Sequence, residues 1–130
     1  MTYLFDVNAL IALGFLQHEF CNRLAAWIDA QRSLTIATCP ITETGFIRVL
    51  SSSHRYGITV DRARSLLLSL KAGGRLRFRF IADDQDIAHL PSWVRSPKQV
   101  TDGHLIQLAA AHSVMLATFD EGIPGAFLIP

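Results

Sequence analysis

Short apolar runs that do not alternate with polar residues constrain the fold most strongly. One run, Tyr3–Phe5, stands directly before Asp6, and another, residues 114–118, leads to Asp120. Strands that are apolar on both faces are typical of a parallel sheet covered by helices on each side. Three further strand candidates are residues 34–37, 76–81 and 127–129, the last of them a short edge strand.

Helical patterns lie between these runs. The predicted helices cover residues 8–15, 18–31, 40–51, 59–72 and 102–112. Pro40 suits a first helical position, Thr59 is a candidate N-cap, and Gly73–Gly74 ends the fourth helix. Because helices that alternate with strands form right-handed crossovers, the sequence predicts an α/β fold, a three-layer α/β/α sandwich with a mostly parallel central sheet. No linker or repeat divides the 130 residues, so we expect one domain, residues 1–130.

Composition sets the class of protein. Half of the residues are hydrophobic, but no apolar run reaches the 18 or more residues of a membrane span, so we expect a soluble protein. No secretory signal precedes the first strand, and Cys21 and Cys39 are interpreted as buried, reduced thiols, which together predict a cytoplasmic location. The 12 basic and 11 acidic side chains give a net charge of +1, so contacts with nucleic acid must be local. The apolar surplus predicts a partner surface or a homodimer.

Two carboxylates fall on the apolar faces of predicted helices. Glu43 is in line with Phe46 and Leu50, and Asp102 is in line with Leu105. Acidic side chains are almost never buried without a partner, so this placement is unusual. Both acids lie in the first turn of their helix, where the helix dipole favours the ionised form.

Two more carboxylates follow strands. Asp6 and Asp120 stand at the carboxyl ends of apolar runs, and ligands of open parallel sheets bind at that edge. Three of the four acids also have a purely structural interpretation: Asp6 as an N-cap, Asp120 as a turn residue before Gly122, and Asp102, or Thr101 before it, as the cap of the helix that follows. One shared site explains all four acids together better than four coincidences do.

Clustered carboxylates indicate a metal centre. Acids within a few ångströms of each other repel, and a divalent cation removes that repulsion. All-oxygen ligation suits Mg²⁺ or Mn²⁺, and the chain has no Cys and His set of the kind that zinc prefers. Such ions activate water and neutralise charge on phosphodiesters, so we predict metal-assisted phosphodiester hydrolysis by in-line attack of water.

Four sequence blocks resemble a known family. They are residues 4–13, 39–48, 100–105 and 116–120, and in this order they resemble PIN-domain proteins, with the nearest likeness to VapC toxins of toxin–antitoxin pairs. The resemblance implies a metal-dependent endoribonuclease that cuts structured RNA such as tRNA or rRNA. It also implies a homodimer that is held inactive by a VapB antitoxin.

The resemblance assigns roles to particular residues. The positions of the family's acidic quartet correspond to Asp6, Glu43, Asp102 and Asp120. Asn8 and Thr118 match polar positions that orient ligands or water. His18 also resembles a position that is often occupied in the family, although a lone histidine is more often a surface or cap residue. The expected products carry a 5′-phosphate and a 3′-hydroxyl.

Candidate RNA contacts follow the helix of Glu43. Arg48, His54 and Arg55 could steer the phosphate backbone, and a solvated helix end is an equally good interpretation of them. Along a predicted strand, Arg75, Arg77 and Arg79 alternate with other residues, either as a basic face or simply as the outward side of the strand.

Two departures and two alternatives stay open. Gly103 replaces a more familiar Ala, and Glu121 either weakens the approach of RNA or supplies an extra ligand. A haloacid-dehalogenase-type phosphatase also begins with an Asp after its first strand, but it needs a second Asp where this chain has Asn8. The other alternative is a non-catalytic protein-binding module whose acids only cap helices and turns.

Overall fold

The computed structural model describes all 130 residues and contains one five-stranded sheet. The strands are β1 (Thr2–Phe5), β2 (Thr35–Thr38), β3 (Arg77–Phe80), β4 (Met115–Thr118) and β5 (Phe127–Leu128). Their order across the sheet is β3-β2-β1-β4-β5, and every neighbouring pair is parallel. The α/β fold with a parallel central sheet is therefore confirmed.

Five helices connect the strands. They are α1 (Val7–Gly14), α2 (Cys21–Asp29), α3 (Pro40–Ser52), α4 (Val60–Ala72) and α5 (Val100–Ala111). Pro40 opens α3 and Thr59 caps α4 by accepting from the backbone N–H of Arg62, as the sequence predicts. None of these helices combines the length and the hydropathy that crossing a bilayer requires.

Two helix starts differ from the prediction by more than one residue. Helix α2 begins at Cys21 rather than at residue 18, because the ring of His18 accepts a hydrogen bond from the backbone N–H of Phe20 in the preceding turn. Helix α5 begins at Val100, directly after a short 3₁₀ turn, so that Asp102 lies inside its first turn and does not cap it. The capping interpretation of Asp102 is therefore wrong.

Hydrophobic side chains fill both faces of the sheet. Phe5 packs with Leu10, Phe46 and Leu50 in the core under α1–α4, whereas Leu4 joins Leu105 in the core under α5. Neighbouring residues of β1 thus point to opposite layers, as alternation along a strand requires. Helices on both faces complete the three layers that the sequence predicts.

Segment 83–99 runs across the surface beside α5. It contains two short 3₁₀ turns, Ile87–His89 and Pro97–Gln99, and Asp86 caps the first by accepting from the backbone N–H of Ala88. Asp83, Asp84 and Asp86 thus lie in an exposed turn before a short helix. His104 Nε2 lies 2.7 Å from Asp83 Oδ2, which ties the start of the segment to α5.

Of the alternating arginines, Arg77 and Arg79 lie on the edge strand β3 and Arg75 lies two residues before it; all three are open to solvent. Both cysteines are free; Cys39 is buried, but Cys21 is only half-buried, contrary to the expectation for it. Its position at the start of α2, on the rim of a surface cavity, explains the exposure.

Candidate active site

Asp6 is held at the carboxyl end of β1 by two hydrogen bonds. Its Oδ1 accepts from the backbone N–H of Ala9 at 2.8 Å, which caps α1, and its Oδ2 accepts from the hydroxyl of Thr118 at 2.5 Å. The residue is only 8 % exposed. Asp6 is thus both the predicted N-cap and a buried carboxylate at the edge where ligands bind.

Thr118 joins the ends of β1 and β4. While its hydroxyl donates to Asp6, the same oxygen accepts from the backbone N–H of Asp120 at 3.0 Å. Asp120 Oδ1 accepts from the backbone N–H of Gly122 at 2.7 Å, so Asp120 is also the turn residue that the sequence allows. Asp120 and the neighbouring Glu121 are exposed at this edge.

Asp102 approaches the same edge from the first turn of α5. Its neighbour Gly103 makes room for segment 83–99, because a Cβ at this position would lie 2.2 Å from Val94 Cγ2. A side chain cannot fit there unless Val94 moves, which explains why this chain carries glycine. The position of Asp102 therefore depends on close packing between α5 and this segment.

The three aspartates interact electrostatically. Burial raises the pKa of Asp6, the hydrogen bonds from Thr118 and Ala9 oppose that change, and the charges of Asp102 and Asp120 raise the pKa further. Burial also raises the pKa of Asp102, as does the charge of Asp120. Asp6, Asp102 and Asp120, named here the aspartate trio, thus form a cluster of negative charge at one sheet edge.

Glu43 is held by partners outside the trio. Its Oε2 accepts from the hydroxyl of Thr38, at the end of β2, and lies 2.6 Å from Lys71 Nζ on α4. The charge of Glu43 does not contribute to the raised pKa values of Asp6 and Asp102. The structure therefore brings three of the four predicted acids into one cluster and pairs the fourth with a lysine.

The donor chemistry of the trio suits a hard divalent cation. The pKa values of Asp6 and Asp102 are raised because negative charge is buried and crowded, and a cation would lower both penalties. As the side chains stand, no three His, Cys, Asp or Glu residues are arranged to coordinate one ion. The oxygens of Asp6 and Asp120 point to backbone and hydroxyl donors, so an ion must compete with or share these hydrogen bonds.

Asn8 lies on the first turn of α1, two residues after Asp6, and bonds to the buried His18. The Nδ1 atom of His18 accepts from the backbone N–H of Phe20, so its Nε2 carries the proton and donates to Asn8 Oδ1 at 2.6 Å. Burial lowers the pKa of His18. The imidazole is therefore neutral, and its hydrogen bond orients the side chain of Asn8.

The predicted RNA contacts lie on the surface. Arg48, His54 and Arg55 are exposed on and after α3, and none of them pairs with an acid. The guanidinium of Arg55 lies over the ring of Tyr56, 5.8 Å from its centroid, and its charge contributes to the lowered pKa of His18. These side chains are thus available to a ligand, and Arg55 is the one whose charge acts on His18.

Sequence reasoning missed two partners of Glu43, namely Thr38 and Lys71. Thr38 stands at the end of β2 as Thr118 stands at the end of β4, and each donates its hydroxyl to a candidate acid. A threonine that ends an apolar strand was a usable signal for Thr38. No local pattern marks Lys71, which reaches Glu43 from 28 positions away.

Comparison with known proteins identifies similar chains. The family model described as the PIN domain matches residues 3–126. Two ribonucleases of Mycobacterium tuberculosis are similar in sequence. VapC38 is 41 % identical over 124 residues, covering 92 % of this chain and 86 % of that protein. VapC44 is 38 % identical over 137 residues, covering 97 % and 94 %.

Two solved structures share the fold. One is VapBC2 from Rickettsia felis bound to a DNA fragment from its promoter, with a TM-score of 0.55, 15 % identity, and coverage of 98 % of this chain and 97 % of that one. The other is FitAB bound to an IR36 DNA fragment, with a TM-score of 0.56, 23 % identity, and coverage of 95 % and 87 %. At these identities the likeness concerns the fold alone.

Proposed function

This chain belongs to the PIN-domain family, among the VapC ribonucleases, and we propose that it is a magnesium-dependent endoribonuclease that cleaves structured RNA such as tRNA or rRNA. Manganese is the expected substitute ion. The observation that carries the proposal is the aspartate trio, in which burial and mutual repulsion raise the pKa values of Asp6 and Asp102. At neutral pH, a divalent cation bound at this edge of the parallel sheet would offset the burial and the mutual repulsion of these carboxylates.

Asp6, Asp102 and Asp120 are the residues that would hold the ion. When bound there, Mg²⁺ activates water and offsets charge on the phosphodiester. The protein's own part is to fix these carboxylates: Ala9 and Thr118 orient both oxygens of Asp6, and His18 orients Asn8 beside it. Glu43 is the fourth acid of the proposal, but its charged partner is Lys71 rather than another acid.

RNA is expected to approach from the exposed side of this edge. Arg48, His54 and Arg55 are the proposed contacts with the phosphate backbone, since they are free of acidic partners. Glu121 adds negative charge beside Asp120 and either opposes that approach or supplies a further ligand. Because water is the proposed nucleophile, the products should carry 5′-phosphate and 3′-hydroxyl ends.

Cleavage of tRNA and rRNA by matched variants tests the proposal. Asp6→Asn keeps an oxygen that can cap α1 but removes the charge, and we expect a loss of activity of roughly 10³-fold or more. Asp61→Asn, which changes an exposed acid paired with Arg64 on α4, is the matched control and should retain activity. Cleavage that persists in EDTA, or products with 2′,3′-cyclic phosphate ends, would contradict the proposal.

An apolar cavity supports the proposal of an antitoxin partner of the VapB type. The cavity measures about 320 Å³ and lies between α1, α2 and α4, with Leu13, Leu24 and Leu70 among its mostly hydrophobic lining. Leu16 at its rim is 91 % exposed. Uncovered apolar surface of this kind is typical of a protein-binding face. We propose that the antitoxin covers it and that the complex acts in the cytoplasm.

Co-purification tests the partner. Leu16→Glu places a charge at the rim of the cavity and should abolish binding of a VapB-type protein encoded by an adjacent reading frame. Val60→Glu is the control: it also places a charge at an exposed apolar residue, but at the start of α4, outside the cavity lining. This variant should bind normally. We also propose that the chain forms a homodimer. Light scattering of the isolated chain tests this, and a monomeric mass would contradict it.

The other two functions have less support. The phosphatase alternative needs an acid at position 8, but Asn8 is an amide that bonds to a neutral histidine. The binding-module alternative predicts that RNA stays intact with every variant, so the cleavage assay decides for it or against it.

A further inference from the structure

The ion pair between Glu43 and Lys71 divides the candidate acids into two groups. Lys71 Nζ lies 2.6 Å from Glu43 Oε2, and the side chains of Lys71 and Glu43 are 25 % and 23 % exposed respectively. The hydroxyl of Thr38 donates to the same carboxylate oxygen. Glu43 thus has a positive charge and a hydroxyl donor within the chain, whereas no basic side chain pairs with the aspartate trio.

Packing on both sides fixes this pair. Phe46 anchors α3 one turn after Glu43, and Leu67 anchors α4 one turn before Lys71; Phe46 is fully buried and Leu67 nearly so. The ammonium of Lys71 also lies 5.4 Å from the ring centroid of Phe80, which adds a cation–π attraction. Lys71 occupies the last turn of α4, where the helix dipole favours a cation.

The charge of Lys71 bears on where a second ion could bind. Phosphodiester-cleaving sites that use two ions hold them about 3.5–4 Å apart, with carboxylates serving both. A second ion served by Glu43 would lie beside the ammonium of Lys71 and would be repelled by it. The trio, by contrast, carries repelling negative charges that an ion relieves.

We propose that Lys71 is a built-in counter-ion of Glu43, so that the folded chain takes up a single divalent ion, at the aspartate trio. Lys71 is a positioning residue here, because it acts through Glu43. The inference rests on the proposed function, since that function supplies the ion at the trio.

Titration with Mn²⁺ in a calorimeter tests this directly, without RNA or turnover. Wild type and Lys71→Arg, which keeps the charge, should each bind one ion per chain. Lys71→Met and Lys71→Gln remove the charge and should each bind a second ion. Glu43→Gln combined with Lys71→Met should return the count to one, since the second ion depends on the carboxylate that Lys71 occupied.

The outcomes separate the inference from the proposed function. If both neutral Lys71 variants melt cooperatively and still bind one ion with wild-type affinity, the inference is overturned while the nuclease proposal stands. The inference is likewise overturned if those variants lose only affinity for RNA, because Lys71 would then be a phosphate contact. A wild-type chain that binds no Mn²⁺ would overturn both.

Discussion

The hydroxyl of Thr118 donates to the carboxylate of Asp6 across 2.5 Å, although 112 positions separate the two residues in the sequence. The same hydroxyl oxygen accepts from the backbone N–H of Asp120. One buried side chain therefore sets the positions of two candidate metal ligands. It also lowers the pKa of Asp6, against the effect of burial.

Replacing Thr118 by Val removes this hydroxyl and keeps the shape of the side chain. We expect the unfolding free energy to fall by about 1–3 kcal/mol, because a buried carboxylate loses a donor. The pKa of Asp6 should rise, so that the acid limb of the pH–rate profile for RNA cleavage moves to higher pH. Thr118→Ser keeps the donor and should leave the limb in place. If the acid limb does not move in Thr118→Val, then Asp6 is not the group whose ionisation controls activity.

Replacing Gly103 by Ala should destabilise the protein, although alanine favours a helix by up to about 1 kcal/mol in an open position. The added Cβ would lie 2.2 Å from Val94 Cγ2, and overpacking of this kind costs about 1–3 kcal/mol. RNA cleavage should fall as well, since Asp102 is the preceding residue. Val94→Ala in the same chain should restore stability, as thermal melts of the single and double variants will show. If Gly103→Ala is more stable than the wild type, the close packing of Gly103 against Val94 is contradicted.

Neutralising Asp102 should stabilise the metal-free protein. The pKa values of Asp6 and Asp102 are raised above the ordinary value of 3.8 in the fold, so the stability linked to these groups is present at acid pH. It is lost as the pH rises through the raised values. In EDTA we expect Asp102→Asn to raise the melting temperature by about 2 °C at pH 7.5 and by less at pH 4, an effect kept small by partial exposure of the group.

Two measurements complete that test. Mn²⁺ should raise the melting temperature of the wild type and have little effect on Asp102→Asn, since binding to the folded state stabilises it. Asp61→Asn should melt like the wild type with and without the ion. Equal stabilisation of all three proteins by Mn²⁺ would place the ion elsewhere.

Acidification should weaken the contact between His18 and Phe20. Burial lowers the pKa of His18 below 6.5, so its contribution to stability is complete above that pH and is lost as the pH falls through the lowered value. Protonation of Nδ1 removes the acceptor that the N–H of Phe20 uses. His18→Gln should therefore lose less stability between pH 7 and pH 5 than wild type does, in chemical denaturation. His89→Gln, at an exposed position, is the control, and an identical loss in all three proteins would refute the role of His18.

The order of strands and helices was predictable because burial on both faces leaves a direct trace in the sequence. Runs such as Tyr3–Phe5 are apolar without alternation, and the structure pairs this strand on both sides. The starts of α2 and α5 were not predictable. The first depends on the ring of His18 and the second on a 3₁₀ turn, and neither contact belongs to the helical period.

The candidate site was predictable in part for a similar reason. Acids at strand ends and on apolar helix faces are local signals, and three of them, Asp6, Asp102 and Asp120, do lie close enough to interact. The pairing of Glu43 with Lys71 depends on how α3 packs against α4, which no local pattern records. The roles of the four acids in metal binding and catalysis stay predictions.

Anomalous diffraction from crystals soaked in Mn²⁺ would locate the ion without any assay of activity. We expect one peak among the carboxylates of Asp6, Asp102 and Asp120, at oxygen distances of about 2.0–2.3 Å. The peak should disappear in Asp102→Asn. A trio without any peak would show that the aspartates do not form a metal centre.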